Sequence, residues 1–216
     1  MFLLKTLWLT VKFCFMWFFE CFSIIRGFWH IFSRDTPRVS IFGGAKVKNK
    51  HKYAQTAYKF AHLCVKNKFS ILAGAGAGIM YATIRGAFDE NPDETQGIGV
   101  EKLDEKFKNH HKTLPFMDVD NFALRKWLLI RHSKAFAIFP GGIGTLDEMT
   151  QVLTLVDTKK IQAFPIILFG IKYWEPFIKW LETTCVKQGL LDKQILKILF
   201  ITDSAEKAVE HIKKYM

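Results

Sequence analysis

A glycine-rich turn and two carboxylates stand close together in the segment FPGGIGTLDE (139–148). The turn follows an apolar run, and glycines at a transition from strand to helix let backbone N–H groups approach an anion. The carboxylates of Asp147 and Glu148, in contrast, repel anions. The segment therefore predicts a site that binds a phosphate group and does chemistry next to it.

Two cations, Arg125 and Lys126, precede this segment on a predicted helix that leads into the strand before the turn. An arginine can bind phosphate with its planar fork, and a glutamate can orient a water molecule or stabilise a cationic transition state. Arg125 and Glu148 are therefore candidates for a hydrolytic pair. In the alternative interpretation, Arg125 is a surface residue of an amphipathic helix, and Thr145 is an N-cap whose capping box is closed by Glu148.

These residues must be positioned by the elements around them, and from residue 38 onward short apolar runs alternate with longer helical patterns. This alternation predicts an α/β fold with a Rossmann-like parallel sheet, helices on both faces and a ligand crevice at the carboxyl ends of the strands. The predicted strands are 38–42, 69–73, 135–139, 164–169 and 198–202, and the predicted helices lie near 50–66, 78–88, 121–133, 145–156, 174–188 and 204–214.

Two further glycine loops follow predicted strands. Gly43 and Gly44 end the first strand, and the second is followed by a G-x-G-x-G run that contains Gly74, Gly76 and Gly78. This run is not the dinucleotide-binding fingerprint, and no glycine run continues into the lysine of a Walker A motif. Each loop is compatible with ligand binding and also with tight packing of a strand on a helix without a ligand.

The first 33 residues differ from the rest of the chain in their abundance of aromatic residues. At about 100° per residue, the polar side chains fall within one third of the circumference of a helix. We therefore predict an amphipathic helix at 1–33, joined by a linker to a domain at 38–216. Three roles stay open for it: lying on a membrane surface, spanning the membrane, or packing against its own domain or a second subunit. Its polar positions are Lys5, Lys12, Glu20, Ser23, Arg26 and His30.

Composition excludes several classes of function. The net charge is +11, but the basic residues are spread along the chain, so we expect no nucleic-acid partner. A basic surface is compatible with simple solvation, with attraction of a phosphorylated small molecule or with an anionic membrane. The four cysteines form no CxxC pair and the histidines lack the spacing of metal ligands, so we expect no metal site.

The segments VSIFGGAK, AGAGAGIMYATIRGA and FPGGIGTLDE, with the upstream Arg-Lys pair, resemble the LONELY GUY family over about residues 38–202. The resemblance implies a usually dimeric, cytoplasmic enzyme without a cofactor, with active sites near the subunit interface. Its reaction would be hydrolysis of the N-glycosidic bond of a nucleoside 5′-monophosphate, a purine nucleotide being favoured. Residues 1–32 lie outside the resemblance, and their amphipathic pattern adds a contact with the inner face of a membrane as one of its open roles.

The resemblance also assigns roles to residues. Arg125 and Glu148 would be the catalytic pair, and Lys126 would line the pocket together with the loops at 43–44 and 74–78. The phosphate would be held by Gly141, Gly142, Gly144 and Thr145.

The chain departs from the family pattern at several positions that shape the pocket. Ala75 and Ala77 interrupt the usual glycine triplet, and Tyr81 replaces a common glutamate. Gly44-Ala45-Lys46 stands for Ser-Ala-Arg, and Asp157-Thr158 for Gln-Thr. These changes favour, as an alternative function, a non-catalytic carrier of a nucleotide or another phosphorylated ligand. A lysine decarboxylase would need a Schiff-base lysine for pyridoxal phosphate, and no segment points to one.

Overall fold

The computed structural model describes residues 35–100, 113–119 and 121–216. The predicted helix at 1–33 lies outside these residues and stays a prediction. Within the described ranges, no helix has the length and apolar character that are needed to cross a membrane.

A single parallel sheet forms the centre of the described structure. Its strand order is β4-β3-β2-β1-β5-β6-β7, and each neighbouring pair is parallel. This arrangement confirms the predicted Rossmann-like α/β fold. The strands are β1 Arg38–Phe42, β2 Ser70–Gly74, β3 Thr95–Val100, β4 Phe116–Val119, β5 Ala135–Ile138, β6 Ile166–Phe169 and β7 Leu199–Thr202.

The helices of the described ranges lie on both faces of the sheet. A π-helical turn, Leu181–Val186, continues the fifth helix, and 3₁₀ turns at Pro92–Glu94 and Lys193–Ile198 precede β3 and β7. The α-helices are α1 Lys52–Lys66, α2 Ile79–Glu90, α3 Phe122–Arg131, α4 Ile143–Asp157, α5 Ile171–Trp180 and α6 Ala205–Lys213.

Alternate residues of the buried strands supply two cores, one on each side of the sheet. In β1, Val39 and Ile41 pack with α1, α2 and α6, whereas Phe42 packs with α3, α4 and α5. Because both faces are covered, the central strands read as continuous apolar runs in the sequence. This is why periodicity located five of the seven strands in the described ranges.

The strand order reverses between β1 and β5. The helix that follows β1 lies on one face of the sheet, and the helix that follows β5 lies on the other. In sheets of this kind the ligand crevice is expected at such a reversal, at the carboxyl ends of the strands. The predicted glycine turn at 140–144 follows β5 and stands at this point.

Two predictions about local structure were incomplete or wrong. The strands β3 and β4 were not predicted, because β3 (TQGIGV) contains two glycines and β4 (FMDV) is an edge strand interrupted by the exposed Asp118. The capping-box interpretation of Thr145 is wrong, since α4 begins at Ile143 with Gly142 as its N-cap. Thr145 lies inside the first turn of the helix and is buried.

Candidate active site

The loops after β1 and β5 touch each other at the point where the strand order reverses. The backbone N–H of Gly44 donates to the carbonyl oxygen of Pro140 at 3.1 Å. A Cβ at Gly141 would lie 2.8 Å from the backbone nitrogen of Gly44, so the two loops can approach this closely only without a side chain at position 141. The structure therefore brings together two of the glycine pairs that the sequence placed after strands.

The third glycine loop joins them through α2. Gly78 has a φ of +68° and is the N-cap of α2. The N–H of Ile79 donates to the carbonyl oxygen of Gly44 at 3.2 Å, and a Cβ at Gly43 would lie 2.5 Å from the side chain of Ile79. Gly43 and Gly78 thus serve close packing between loops. Gly76 is buried in the same loop.

Arg125 lies in the second turn of α3 and is almost completely buried, with 6% of its surface exposed. Its guanidinium rests against Gly74, where a Cβ would collide with it. Its Nη2 lies 3.4 Å from the sulfur of Met80, and the ring of Phe122 lies 6.0 Å from its Cζ. The alternative of a surface arginine is therefore wrong, and Arg125 points to the carboxyl end of β2.

Glu148 lies in the second turn of α4 and is partly buried. Desolvation raises the pKa of its carboxyl to about 7, although the positive charges of Arg125 and Lys126 lower it; the charge of Asp147 raises it further. A carboxyl that titrates near neutral pH can exchange a proton with a substrate or a water molecule. The predicted pair of Arg125 and Glu148 is thus electrostatically coupled in the folded chain.

Lys126 and Asp147 form an ion pair between α3 and α4. The Nζ of Lys126 lies 2.9 Å from the Oδ2 of Asp147, and about a quarter of the lysine side chain is exposed. Lys126, which was expected to line the pocket, therefore reaches the residue next to Glu148. The ion pair links the two helices that carry the candidate catalytic residues.

The N-terminus of α4 offers a place for an anion. A Cβ at Gly142 or Gly144 would meet nothing within 4 Å, so the first turn of the helix faces open space. The first N–H groups of a helix have no intrahelical partner, and the helix dipole favours a negative charge there. Gly141 and the buried Thr145 lie beneath this surface, with the threonine hydroxyl against Gly141.

Sequence reasoning missed three residues that contact Gly141 or Arg125 in the candidate site. Tyr173, in the first turn of α5, donates its hydroxyl proton to the carbonyl oxygen of Gly141 at 2.5 Å. Met80 and Phe122 contact Arg125 as described above. Phe122 precedes Arg125 by three residues, a spacing that places both on one side of a helix and could have revealed it. Tyr173 carries no such signal, because its place depends on which strand lies beside β5.

The fold and the candidate site define a Rossmann-like protein in which Arg125 and Glu148 interact electrostatically near the glycine loops at the carboxyl edge of the sheet. The chain belongs to the LONELY GUY family. The family model described as "Possible lysine decarboxylase" matches residues 80–212.

Curated relatives cover most of this chain. A cytokinin riboside 5′-monophosphate phosphoribohydrolase of Rhodococcoides fascians is 26% identical over 188 residues, which is 84% of this chain and 92% of the relative. A protein of Arabidopsis thaliana with the same activity in its name is 22% identical over 180 residues, covering 83% of this chain and 84% of the relative.

Solved structures have the same fold. The molybdenum cofactor carrier protein of Chlamydomonas reinhardtii aligns with a TM-score of 0.56 and 15% identity, covering 83% of this chain and 98% of that one. The molybdenum cofactor binding protein of Rippkaea orientalis aligns with a TM-score of 0.57 and 20% identity, covering 83% of this chain and 96% of that one.

Proposed function

We propose that this protein hydrolyses the N-glycosidic bond of a nucleoside 5′-monophosphate and releases the free base and ribose 5-phosphate. One observation carries the proposal: the buried Arg125 interacts electrostatically with Glu148, whose carboxyl has a pKa raised to about 7 by desolvation and which lies in the second turn of α4, behind an open helix N-terminus. The curated relatives named as phosphoribohydrolases support the same reaction class.

The phosphate group of the substrate binds at the start of α4 in this proposal. Backbone N–H groups near Gly142 and Gly144 meet the phosphate oxygens, and the buried Thr145 supports the turn from below. The phosphate is remote from the bond that breaks. Its binding energy therefore positions the ribose next to the catalytic carboxyl, which lies one turn further along the helix.

Bond cleavage produces positive charge on the ribose. Ionised Glu148 stabilises this charge and accepts a proton from the water molecule that attacks C1′, while the C1′–N bond breaks and its electron pair leaves with the base. The leaving base takes up a proton. Arg125 keeps part of the Glu148 population ionised at neutral pH, because its positive charge lowers the pKa of that carboxyl.

The test is a panel of purine and pyrimidine 5′-monophosphates that includes an N6-prenylated AMP. Purified protein is incubated with each nucleotide and free base is measured by chromatography, with Glu148→Gln as the control. We expect release from a purine nucleotide that depends on Glu148. Binding of nucleotides without release of base from any of them would refute the hydrolase.

A second candidate function is that of a non-catalytic carrier of a nucleotide or another phosphorylated ligand. The fold it shares with proteins named as molybdenum cofactor carriers favours it, as do Ala75, Ala77 and Tyr81 in the altered loop. The carrier predicts binding that Glu148→Gln leaves unchanged and no turnover by either protein. The partly buried Glu148 and the buried Arg125 count against it, since a carrier needs no such pair.

We also propose that the protein is a cytoplasmic homodimer. The outer surface of α4 and α5 supports a second copy, because it has a mostly apolar groove of about 170 Å³ to which Leu153, Phe177 and Ile195 contribute. Sedimentation equilibrium of the full chain and of a Phe177→Glu variant tests this. A full chain that sediments as a monomer at micromolar concentration would contradict it.

Residues 1–32 are proposed to bind the inner face of a membrane, as their aromatic and basic composition suggests. Deletion of residues 1–33 should move the protein to the soluble fraction without abolishing activity. Loss of dimerisation upon deletion, with no change in fractionation, would instead assign the segment to an interface.

A further inference from the structure

Tyr173 holds the glycine turn from a neighbouring element. Its hydroxyl donates to the carbonyl oxygen of Gly141 at 2.5 Å, and 40% of its surface is exposed. The residue belongs to the first turn of α5, which follows β6, whereas the turn it contacts follows β5. The contact therefore crosses from one strand connection to the next at the carboxyl edge of the sheet.

The position of Tyr173 is determined by the way in which α5 begins. Gly170 is its N-cap with a φ of +100°, a conformation that L side chains rarely adopt. A Cβ at Gly170 would lie 3.0 Å from the Cγ of Pro140 and 3.3 Å from the Cε1 of Tyr53. The carboxylate of Asp203 accepts the N–H of Ile171 at 3.2 Å. The start of α5 is thus packed against the residue that precedes the glycine turn.

The hydrogen bond from Tyr173 to Gly141 determines where the N–H of Gly142 points. The carbonyl of Gly141 and the N–H of Gly142 belong to one planar trans peptide and point in opposite directions. Because Tyr173 holds the carbonyl, the N–H of Gly142 is directed away from α5. Gly142 is exposed and faces open space at the N-terminus of α4. Glycines on both sides of this peptide would otherwise let it rotate with little steric cost.

We propose that Tyr173 is a positioning residue that orients the Gly141–Gly142 peptide so that the Gly142 N–H meets the phosphate group of the substrate. This inference rests on the proposed function for the identity of the substrate. Tyr173 acts through the backbone and does not contact the ribose or the base. Its contribution is therefore the same before and during bond cleavage, and its loss raises KM with little change in kcat.

The experiment compares Tyr173→Phe with the unchanged protein by calorimetric titration of AMP, inorganic phosphate and adenosine. We expect affinity for AMP and for inorganic phosphate to fall about fivefold, the size expected for one hydrogen bond. Affinity for adenosine, which has no phosphate, should be unchanged. A variant that binds AMP as tightly as the unchanged protein, or that loses AMP and adenosine affinity equally, overturns the inference.

Tyr58→Phe is the matched control. The hydroxyl of Tyr58 donates to Asp89 at 2.9 Å, but it does so on the exposed side of α1 and α2. This control also loses one tyrosine hydrogen bond and should keep full affinity for AMP. The amide resonance of Gly142 gives a second measurement, since it should shift in Tyr173→Phe and stay in place in Tyr58→Phe. An unmoved resonance in both variants overturns the proposed orientation.

Failure of this inference can be distinguished from failure of the proposed function, because the titrations need no turnover. If the unchanged protein binds AMP and never releases base, the hydrolase is wrong, and the affinities of Tyr173→Phe still decide the role of Tyr173. If base is released with an unchanged KM in Tyr173→Phe, only the role of Tyr173 is wrong.

Discussion

The guanidinium of Arg125 occupies the space that a Cβ at Gly74 would fill. Gly74 ends β2, whereas Arg125 belongs to α3, which follows β4 on the other side of β3. The absence of a side chain at position 74 thus lets a buried cation reach the crevice. The sulfur of Met80 contacts the same guanidinium from α2.

Gly74→Ala should displace Arg125 and reduce kcat/KM by about a hundredfold, since misplacement of a catalytic group by about 1 Å can have this effect. Steady-state kinetics of base release provide the measurement. In an Arg125→Ala background the same substitution should have a much smaller effect, because the collision with the guanidinium is gone and only the flexible side chain of Met80 must move. Additive losses in the double variant would show that Gly74 acts independently of Arg125.

The pH dependence of kcat/KM should show the ionisation of Glu148. The carboxylate must be ionised to accept a proton, and the pKa of this group is raised to about 7 by desolvation. We therefore expect kcat/KM to rise with pH, with a midpoint near pH 7, and to level off about one pH unit above it. Glu148→Gln should remove this rise together with most of the activity. A rise centred near the ordinary glutamate value would contradict the assignment.

The same carboxyl should reduce stability at alkaline pH. The folded pKa of Glu148, about 7, lies above the ordinary glutamate value of 4.5, so the folded state binds the proton more tightly than the unfolded state does. The stabilisation by this proton is complete below the unfolded pKa and is lost as the pH rises through about 7. Glu148→Gln should therefore increase the free energy of unfolding by about 1–3 kcal/mol at pH 8.

Urea denaturation at pH 4 and pH 8 measures this difference. At pH 4 both states of the unchanged protein are largely protonated, and the variant should have nearly the same stability. Equal stability of the two proteins at pH 8 would mean that the carboxyl is not desolvated in the folded chain.

The two members of the ion pair, Lys126 and Asp147, should shift the pKa of Glu148 in opposite directions. Lys126 lowers this pKa and Asp147 raises it. Lys126→Met should therefore move the acid side of the pH–rate profile to higher pH, and Asp147→Asn should move it to lower pH. Both variants should bind AMP with similar affinity if Lys126 interacts with Asp147 and not with phosphate. A large loss of AMP affinity only in Lys126→Met would assign Lys126 to the phosphate.

Much of the fold was predictable because local patterns encode it. The buried strands on both sides of the sheet centre are continuous apolar runs, and β1 was located to the residue. The strands β3 and β4 were missed, since two glycines in β3 and an exposed aspartate in β4 remove the usual apolar signal. Their order, with β3 beside β2 and β4 at the edge, follows from hydrogen bonding between strands, which no local pattern contains.

The candidate site was predictable in its residue types but not in its geometry. The glycine turn, Arg125 and Glu148 were selected from the sequence, because their chemistry and their order along the chain resemble a family motif. The same local reading placed a helix start at Thr145, and the structure moved it to Ile143. The hydrogen bonds of a capping box would favour a helix that starts at Thr145. In the fold, the side chain of Thr145 instead packs under Gly141, inside the first turn of the helix.

By itself, the sequence determined the alternation of strands and helices, the positions of the glycine turns and the chemical types available for catalysis. Only the tertiary structure decided that β5 lies beside β1 and that β6 lies beside β5. These neighbours bring Gly44 to Gly141 and Tyr173 to the same turn. Apolar runs are suited to many sheet orders, and the order is selected by the packing of all helices on both faces at once.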